Sequence, residues 1–319
     1  MKLLRGLTNF PVFVNGSVAT IGNFDGVHLG HQALLKNLRA EADRLQLPVV
    51  VLLFEPQPAE YFRPEQAPAR LTSLREKLAV LKSSRVDFVY CLKFDEALAL
   101  MSAQDFAQEY FFSLLNCKYL LLGQDFRFGQ GRLGDVNLLQ ELGLSHGCRV
   151  RSFADFSIKD NRVSSTKIRT ALEQGALEEA TDLLGRTFSL CGRVIKGDGR
   201  GRQWGIPTAN LAMHRLKLPI HGVFCVQVHS IEGRFINGVA NLGSRPTVDG
   251  TKNTLEIHLF DFDENLYGEM LQGFFLHKLR DEVKFSSVDA LIAQIHDDIA
   301  AAKSEFRRRH FTLSSTIEP

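Results

Sequence analysis

The sequence predicts two domains in series: an N-terminal doubly wound α/β domain over residues 1–184, and a mostly antiparallel β-barrel with a C-terminal helix over residues 185–319. Three observations lead there. A chain of 319 residues exceeds what one core usually organises, since domains run to roughly 150 residues. The first half alternates short apolar runs with helical patterns, as parallel strands covered on both faces do. Beyond Gly185 the pattern changes to alternating strands separated by glycine- and proline-bearing turns.

In the first half, Val18–Gly22, Val49–Phe54, Val86–Leu92, Lys118–Leu122 and Cys148–Phe153 read as buried strands. Helical spacing covers His28–Leu45, Thr72–Ser84, Ser102–Leu115 and Gly134–Leu144, and Leu177–Leu184 precedes the change at Gly185. In the second half Gly222–Val228 and Leu255–Phe260 alternate, with turn signals at Glu232-Gly233, Arg245-Pro246 and Asp249-Gly250. A last helix puts Val288, Leu291, Ile292, Ile295, Ile299 and Phe306 on one face. Its end, Arg307-Arg308-Arg309, suits the negative pole of the helix dipole, with a phosphate patch as the alternative.

Composition narrows the function classes. Lys+Arg 38 against Asp+Glu 36 leaves a formal charge of +2, and hydrophobic residues make up 45%, so disordered and fibrous chains are excluded. Mixed charge offers no broad basic face, and no nucleic-acid partner is expected. The longest apolar run, Val49 to Phe54, is far short of the ~20 residues that cross a bilayer, so no membrane association is expected. The opening MKLLRGLTNF lacks the apolar stretch of a secretory leader. Five cysteines (Cys91, Cys117, Cys148, Cys191, Cys225) form no C-x-x-C pair, which fits buried thiols in a reducing, cytoplasmic setting. The sequence leaves the oligomeric state open.

Chemistry concentrates in loops that follow strands. Gly22-Asn23-Phe24-Asp25-Gly26-Val27-His28-Leu29-Gly30-His31 leads into a helix. Glycines let such a backbone approach a ligand, and a helix start offers N–H groups to phosphate. His28 and His31, three apart, can donate to an α-phosphate whose charge grows during attack; a metal pair is the alternative, and no third ligand stands at motif spacing. Three more loops follow strand ends: Phe54-Glu55-Pro56-Gln57-Pro58, Gly123-Gln124-Asp125-Phe126-Arg127-Phe128-Gly129, and Ser164-Ser165-Thr166-Lys167-Ile168-Arg169. Doubly wound sheets bind ligands beyond strand carboxyl ends, so one ligand touching all four loops is expected. Ser165, Thr166 and Arg169 suit a triphosphate, with helix capping as the alternative. Phe62, Phe126 and Phe128 are candidates to flank a flat ring, with core packing as the alternative.

The second half holds GRVIKGDGRGRQWGIPTAN over residues 192–210. The third glycine of a dinucleotide fingerprint would fall at Arg202, and no G-K-[ST] follows. Arg193, Lys196, Arg200 and Arg202 around this loop suit a flap over a polyphosphate; a mobile turn is the alternative. Thr208 and Asn210, two apart in a strand, share a face and offer hard neutral oxygens to magnesium carried on substrate phosphates. In Leu255–Phe260, alternation sets Leu255, Ile257 and Leu259 against Glu256 and His258. Glu256 is placed either to take a proton from a hydroxyl nucleophile or simply to face outward.

H-x-G-H after the first strand resembles the Rossmann-like nucleotidyltransferase superfamily, and the longer G-N-F-D-G-V-H-L-G-H resembles the prokaryotic bifunctional riboflavin kinase/FAD synthetase family. The second half resembles its riboflavin kinase domain: G-x-x-x-G-R-x-x-G-x-P-T-A-N-L, Gly222-Val223-Phe224, Ala240-Asn241-Leu242-Gly243, Arg245-Pro246-Thr247, the run Leu255–Phe262, and Leu266-Tyr267-Gly268. The resemblance covers about residues 15–305. It implies that residues 185–319 phosphorylate riboflavin to FMN with ATP, Glu256 deprotonating the ribityl 5′-hydroxyl. Gly197, Arg202, Pro207, Thr208, Asn210 and Arg280 would bind ATP or flavin there, with magnesium on Thr208 and Asn210.

The resemblance further implies that residues 1–184 adenylylate FMN to FAD with release of pyrophosphate, His28 and His31 being catalytic. Gly22, Asn23, Phe24, Asp25, Gly30, Asp125, Arg162, Ser165, Thr166 and Arg169 would bind ATP, and Gln57, Phe62 and Phe128 the flavin. Small-molecule substrates (riboflavin, FMN and ATP) are the partners expected. The segment Phe274–Phe285, with Arg280-Asp281-Glu282, resembles a loop beside the flavin. Two positions depart from the family: Gln57 stands where histidine is usual and Phe224 where tyrosine is common. Gln57 keeps a donor but carries no charge, which leaves open an enzyme with one active half. A non-catalytic flavin or nucleotide sensor is the further alternative, disfavoured by Glu256 and the two histidines.

Overall fold

Continuous apolar runs become buried parallel strands, and the computed structural model shows them in the expected positions. It describes the chain except residues 8–9, 159–160, 198, 214, 230–232, 248–249, 310, 312 and 314–319, with backbone only at 244–247 and 250–252. Two compact units emerge. One comprises Met1–Pro68 and Lys77–Val163; the other comprises Ala69–Glu76 and Ser164–Pro319.

The first unit carries strands Lys2–Arg5 (β1), Ser17–Ile21 (β2), Val49–Glu55 (β3), Phe88–Lys93 (β4), Cys117–Gly123 (β5) and Arg149–Phe153 (β6). Among the described residues they form one parallel sheet in the order β1-β4-β3-β2-β5-β6. The helices are Leu29–Leu45 (α1), Pro58–Phe62 (α2), Leu74–Ser83 (α3), Glu96–Leu100 (α4), Ala103–Phe106 (α5) and Val136–Ser145 (α6). α5 winds on as a π-helix over Ala107–Leu114, so the single helix expected at Ser102–Leu115 is a composite. α1 buries Leu34, Leu35, Leu38 and Ala42. A two-stranded ladder, Ser157–Ile158 (β7) with Asn161–Arg162 (β8), precedes the second unit. β1, α2 and α4 go beyond the sequence expectation, being four or five residues long and too short to show a period. Strand order reverses between β2 and β5, so their following loops border the crevice where doubly wound folds bind ligands.

The second unit begins, in this half of the chain, with helices Ser165–Glu173 (α7) and Leu177–Leu184 (α8). Strands Ser189–Ile195 (β9), Ala209–Leu211 (β10), Gly222–His229 (β11), Phe235–Thr247 (β12), Gly250–Leu259 (β13) and Met270–Arg280 (β14) follow, with a helical turn at Arg200–Gln203 (α9) and the helix Val288–Arg308 (α10). The strands close an antiparallel barrel in the order β10-β13-β12-β11-β14-β9. Phe224, Leu255, Ile257 and Phe275 are all at most 1% exposed, and the rings of Phe224 and Phe275 meet edge to face at 5.5 Å. α10 packs Ile299, Ala302 and Phe306 onto Val223, Cys225, Val239 and Phe260.

Two expectations change here. Phe274–Arg280 belongs to β14, because its apolar residues pair with β9 and β11; the connection is shorter, residues 281–287. Val288 is exposed, since the face of α10 used for packing starts a turn later. The terminal arginines pair with Glu305, at 2.7 Å from Arg308 and 2.9 Å from Arg309. Of the turn signals, Glu232 and Asp249 lie outside the described residues.

Residues Ala69–Glu76 join the second unit through a buried cluster. Arg215 pairs with Glu76, their side chains 2% and 6% exposed, and its guanidinium also donates to the carbonyls of Arg70 (2.9 Å) and Leu71 (3.2 Å). The other carboxylate oxygen of Glu76 accepts from the Cys191 N–H of β9 at 2.7 Å.

Candidate active sites

The loop after β2 turns sharply. Phe24, Gly26 and Val27 take left-handed φ values of 45°, 79° and 38°. For the two non-glycine residues this costs on the order of 1–3 kcal/mol each and persists only under surrounding constraint. Phe24 and Val27 are buried, and Gln32 Nε2 donates to the Val27 carbonyl at 2.9 Å.

His28 then caps α1: its Nδ1 accepts from the His31 N–H at 3.3 Å, which leaves the ring proton on Nε2. The imidazoles of His28 and His31 stack at 3.7 Å and 18°, with Phe24 against His31 at 4.8 Å. A β-carbon on Gly30 would stand 3.2 Å from the His28 ring, so glycine leaves the ring its place. The expected alignment of the two histidines is present, but His28 sits at the cap rather than inside the helix.

The neighbouring loops carry the other candidates of this unit. Gln57, at the N-cap of α2, is buried, and its Nε2 has no hydrogen-bond partner among the described residues. Phe62 is 61% exposed beside Tyr61 and Phe94. Phe128 lies in the core against Phe106 and Phe111, while half-buried Phe126 stacks on it at 5.4 Å. Asp125 and Arg162, 37 positions apart, form an exposed ion pair at 2.6 Å, and Arg162 also reaches Asp155 at 3.0 Å.

In the second unit, Ser164 caps α7 by accepting from the Lys167 N–H at 3.3 Å. Ser165 and Thr166 therefore open the helix rather than cap it. Arg169 Nε donates to the Ala69 carbonyl at 2.6 Å.

A cavity of about 280 Å³ opens on one side of the barrel. Register builds its polar wall: Asn210 of β10 faces Glu256 of β13 directly, and Glu256 faces Asn241 of β12 on its other side. Residues paired across antiparallel strands put their side chains on the same face. Thr208, Asn210, Asn241, Glu256 and His258 all line the cavity, while Leu255, Ile257 and Leu259 point the other way and are buried. His258 Nδ1–H donates to the Pro207 carbonyl at 2.8 Å, tying β13 to the segment before β10. A β-carbon on Gly197 would fall 2.5 Å from Asn210 Nδ2, so a side chain there would displace the asparagine amide. Arg200 and Gly201 of α9 line the cavity, and Arg202 on the same turn is exposed.

Apolar side chains line the rest of the cavity: Val239, which lies beside His258 in the ladder, and Phe285, Leu291 and Ile295 from beyond β14. Arg280 lines it too, held by Asp298 of α10 through two bonds of 2.8 and 2.7 Å, with Gln294 as a third partner of Asp298 at 3.0 Å. Asn241, Asp298, Leu291 and Ile295 were missed as site residues. Asn241 lies in the Ala240-Asn241-Leu242-Gly243 motif, whereas the α10 residues show only the spacing of a packing face. Among the described residues no group of three or more His, Cys, Asp or Glu is arranged to hold a metal.

Comparison with known proteins finds relatives for both halves of the chain. The family model described as FAD synthetase matches residues 12–167, and that described as riboflavin kinase matches residues 184–306. The bifunctional riboflavin kinase/FMN adenylyltransferases of Haemophilus influenzae and Escherichia coli K12 are each 46% identical to this chain. The alignments cover 96% of it, and 99% and 98% of the relatives. A solved structure described as a macrolide-efflux protein of Streptococcus pneumoniae is 29% identical, with a TM-score of 0.79 over 96% of this chain and 99% of that one. Among the described residues no helix is long and apolar enough to cross a membrane. Two family matches in series and full-length relatives that carry both names make this chain a member of the bifunctional riboflavin kinase/FMN adenylyltransferase family.

Proposed function

We propose that the two reactions are divided between the barrel cavity and the loops of the parallel sheet, with FMN made in the first and consumed in the second. The observation that carries this reading is Glu256, set between Asn210 and Asn241 on the polar face of a cavity that Phe285, Leu291 and Ile295 also line. An apolar lining accepts a flavin ring, and a carboxylate in the same cavity accepts the proton of the ribityl hydroxyl as its oxygen attacks the γ-phosphorus of ATP and ADP departs. Neutral oxygens of Thr208 and Asn210 suit magnesium that arrives on the phosphates; it would neutralise charge developing on the transferred group. Arg200 lies where it can do the same from the protein side.

For adenylylation, the FMN phosphate oxygen attacks the α-phosphorus of ATP, the bond to the β-phosphate oxygen breaks, and pyrophosphate leaves. The attacking phosphate is already anionic, so no base is required. The residues of this chain bind and stabilise: His28 Nε2–H and His31 donate to the α-phosphate, backed by the loop from Gly22 to Gly30. By sequence resemblance Ser165, Thr166 and Arg169 complete the triphosphate contacts, and Asp125 and Arg162 the nucleotide contacts. Exposed Phe62 offers a face to the flavin, with Gln57 beside it in sequence and Phe128 acting from the core beneath Phe126. The domain division at 184/185 belongs to the same proposal, as does a cytoplasmic setting, which five buried or half-buried cysteines favour.

Chromatography of flavins after incubating the whole chain with riboflavin, ATP and magnesium tests the reading. FMN should appear first and FAD after it. Arrest at FMN would leave the first unit without its reaction, and unchanged riboflavin would remove the kinase assignment.

A further inference from the structure

Lys77 of α3 stands among the large, fully buried side chains, 1% exposed. Its Nζ lies 2.6 Å from the carbonyl oxygen of Asn23, the residue just before left-handed Phe24. Burying an amine is costly unless its hydrogen bonds are used, whereas methionine would fill similar volume without that cost. A lysine kept here therefore points to work done at the loop.

A trans peptide directs its carbonyl oxygen and the following N–H to opposite sides. Anchoring the Asn23 oxygen on a buried lysine thus turns the Phe24 N–H away from the core. Asn23 itself is exposed, so that direction is the open side of the loop. We propose that Lys77 is a positioning residue for adenylyl transfer: it fixes the Asn23–Phe24 peptide plane so that the loop before His28 presents a backbone donor to the phosphates of a nucleoside triphosphate. This rests on the adenylyltransferase reading of the same loop. It adds a residue 46 positions beyond His31 in the chain, outside every strand-end motif.

The test uses the full-length chain carrying Lys77→Met. FAD formation from FMN, ATP and magnesium is followed for kcat and for both KM values, together with FMN formation from riboflavin, thermal unfolding and amide hydrogen exchange. The expected result is a fall of about 10- to 100-fold in kcat for FAD formation, the range of a misplaced catalytic group. KM for FMN should stay within about threefold and FMN formation within about twofold, the tolerance set for unaffected steps. Exchange should quicken over Gly22–His28 and stay unchanged in β3 and β4. A kcat within about threefold of wild type overturns the proposal; so does faster exchange throughout the first unit, the signature of lost packing alone.

If Lys77→Met does not fold, Lys77→Arg decides, since its planar head holds donors at another length. A similar fall in kcat with the kinase intact supports the proposal, and unchanged FAD formation overturns it. A wild-type chain that makes no FAD from FMN overturns the adenylyltransferase reading, and this inference with it.

Discussion

The two sites are assembled in opposite ways. In the first unit the two histidines proposed to act fall within ten consecutive residues, Gly22 to His31, and their geometry is local: His28 caps the helix that carries His31, and the rings stack. In the barrel, Asn210, Asn241 and Glu256 come from three strands and meet only because β10, β13 and β12 pair in one register. A local site depends on the conformation of one loop. A register-built site depends on the whole ladder, since a one-residue slip would turn Glu256 inward.

The largest expected effect sharpens this contrast. Glu256→Gln should cut FMN formation by about 10²–10⁴-fold while FAD formation from supplied FMN continues. Next, His28→Ala should lower FAD formation by about 10²–10³-fold with FMN formation nearly intact, as loss of one transition-state donor does. Both are read by separate assays on riboflavin and on FMN. Equal loss of the two activities in either variant would break the division into two sites.

Asp298→Ala should leave Arg280 without its bidentate carboxylate. A partly buried pair of this kind is worth about 1–3 kcal/mol, between the exposed and buried limits, and denaturant unfolding measures it. KM for riboflavin should rise more than KM for ATP, because Asp298 shares α10 with Leu291 and Ile295 of the apolar lining. The smallest effect is expected from Gln57→His, a change of about threefold or less in FAD formation, since either side chain keeps an N–H donor at that place. A gain of tenfold or more would instead make Gln57 the reason for a slow first unit.

Legibility in the sequence follows the same contrast. Buried parallel strands appear as unbroken apolar runs, so β2 to β6 were readable to within two residues at most ends. The decapeptide at Gly22–His31 was readable because its chemistry is contiguous. Register was not: Thr208, Asn210 and Glu256 announced their faces, but nothing in the chain said that Asn241 would lie beside Glu256. Phe128 shows a further limit, because an aromatic in a strand-end loop looks the same whether it meets ligand or core, and here it packs into the core. Lys77 sits in an ordinary helical pattern, and only its burial separates it from a solvent-facing lysine.

The cluster around Glu76 bears on whether the barrel can be excised as a free-standing kinase. A fragment starting at residue 185 would contain Arg215 and Cys191 but not the carboxylate that both use. Breaking a buried pair by removing one partner costs about 3–5 kcal/mol, a large share of a domain's stability. Arg186, whose burial already pushes it down to about 10, would lose the pull of Glu76 as well. Eight residues from the first half of the chain thus act as a graft that any split or gene fission must carry along, or replace by substituting Arg215 with an apolar side chain.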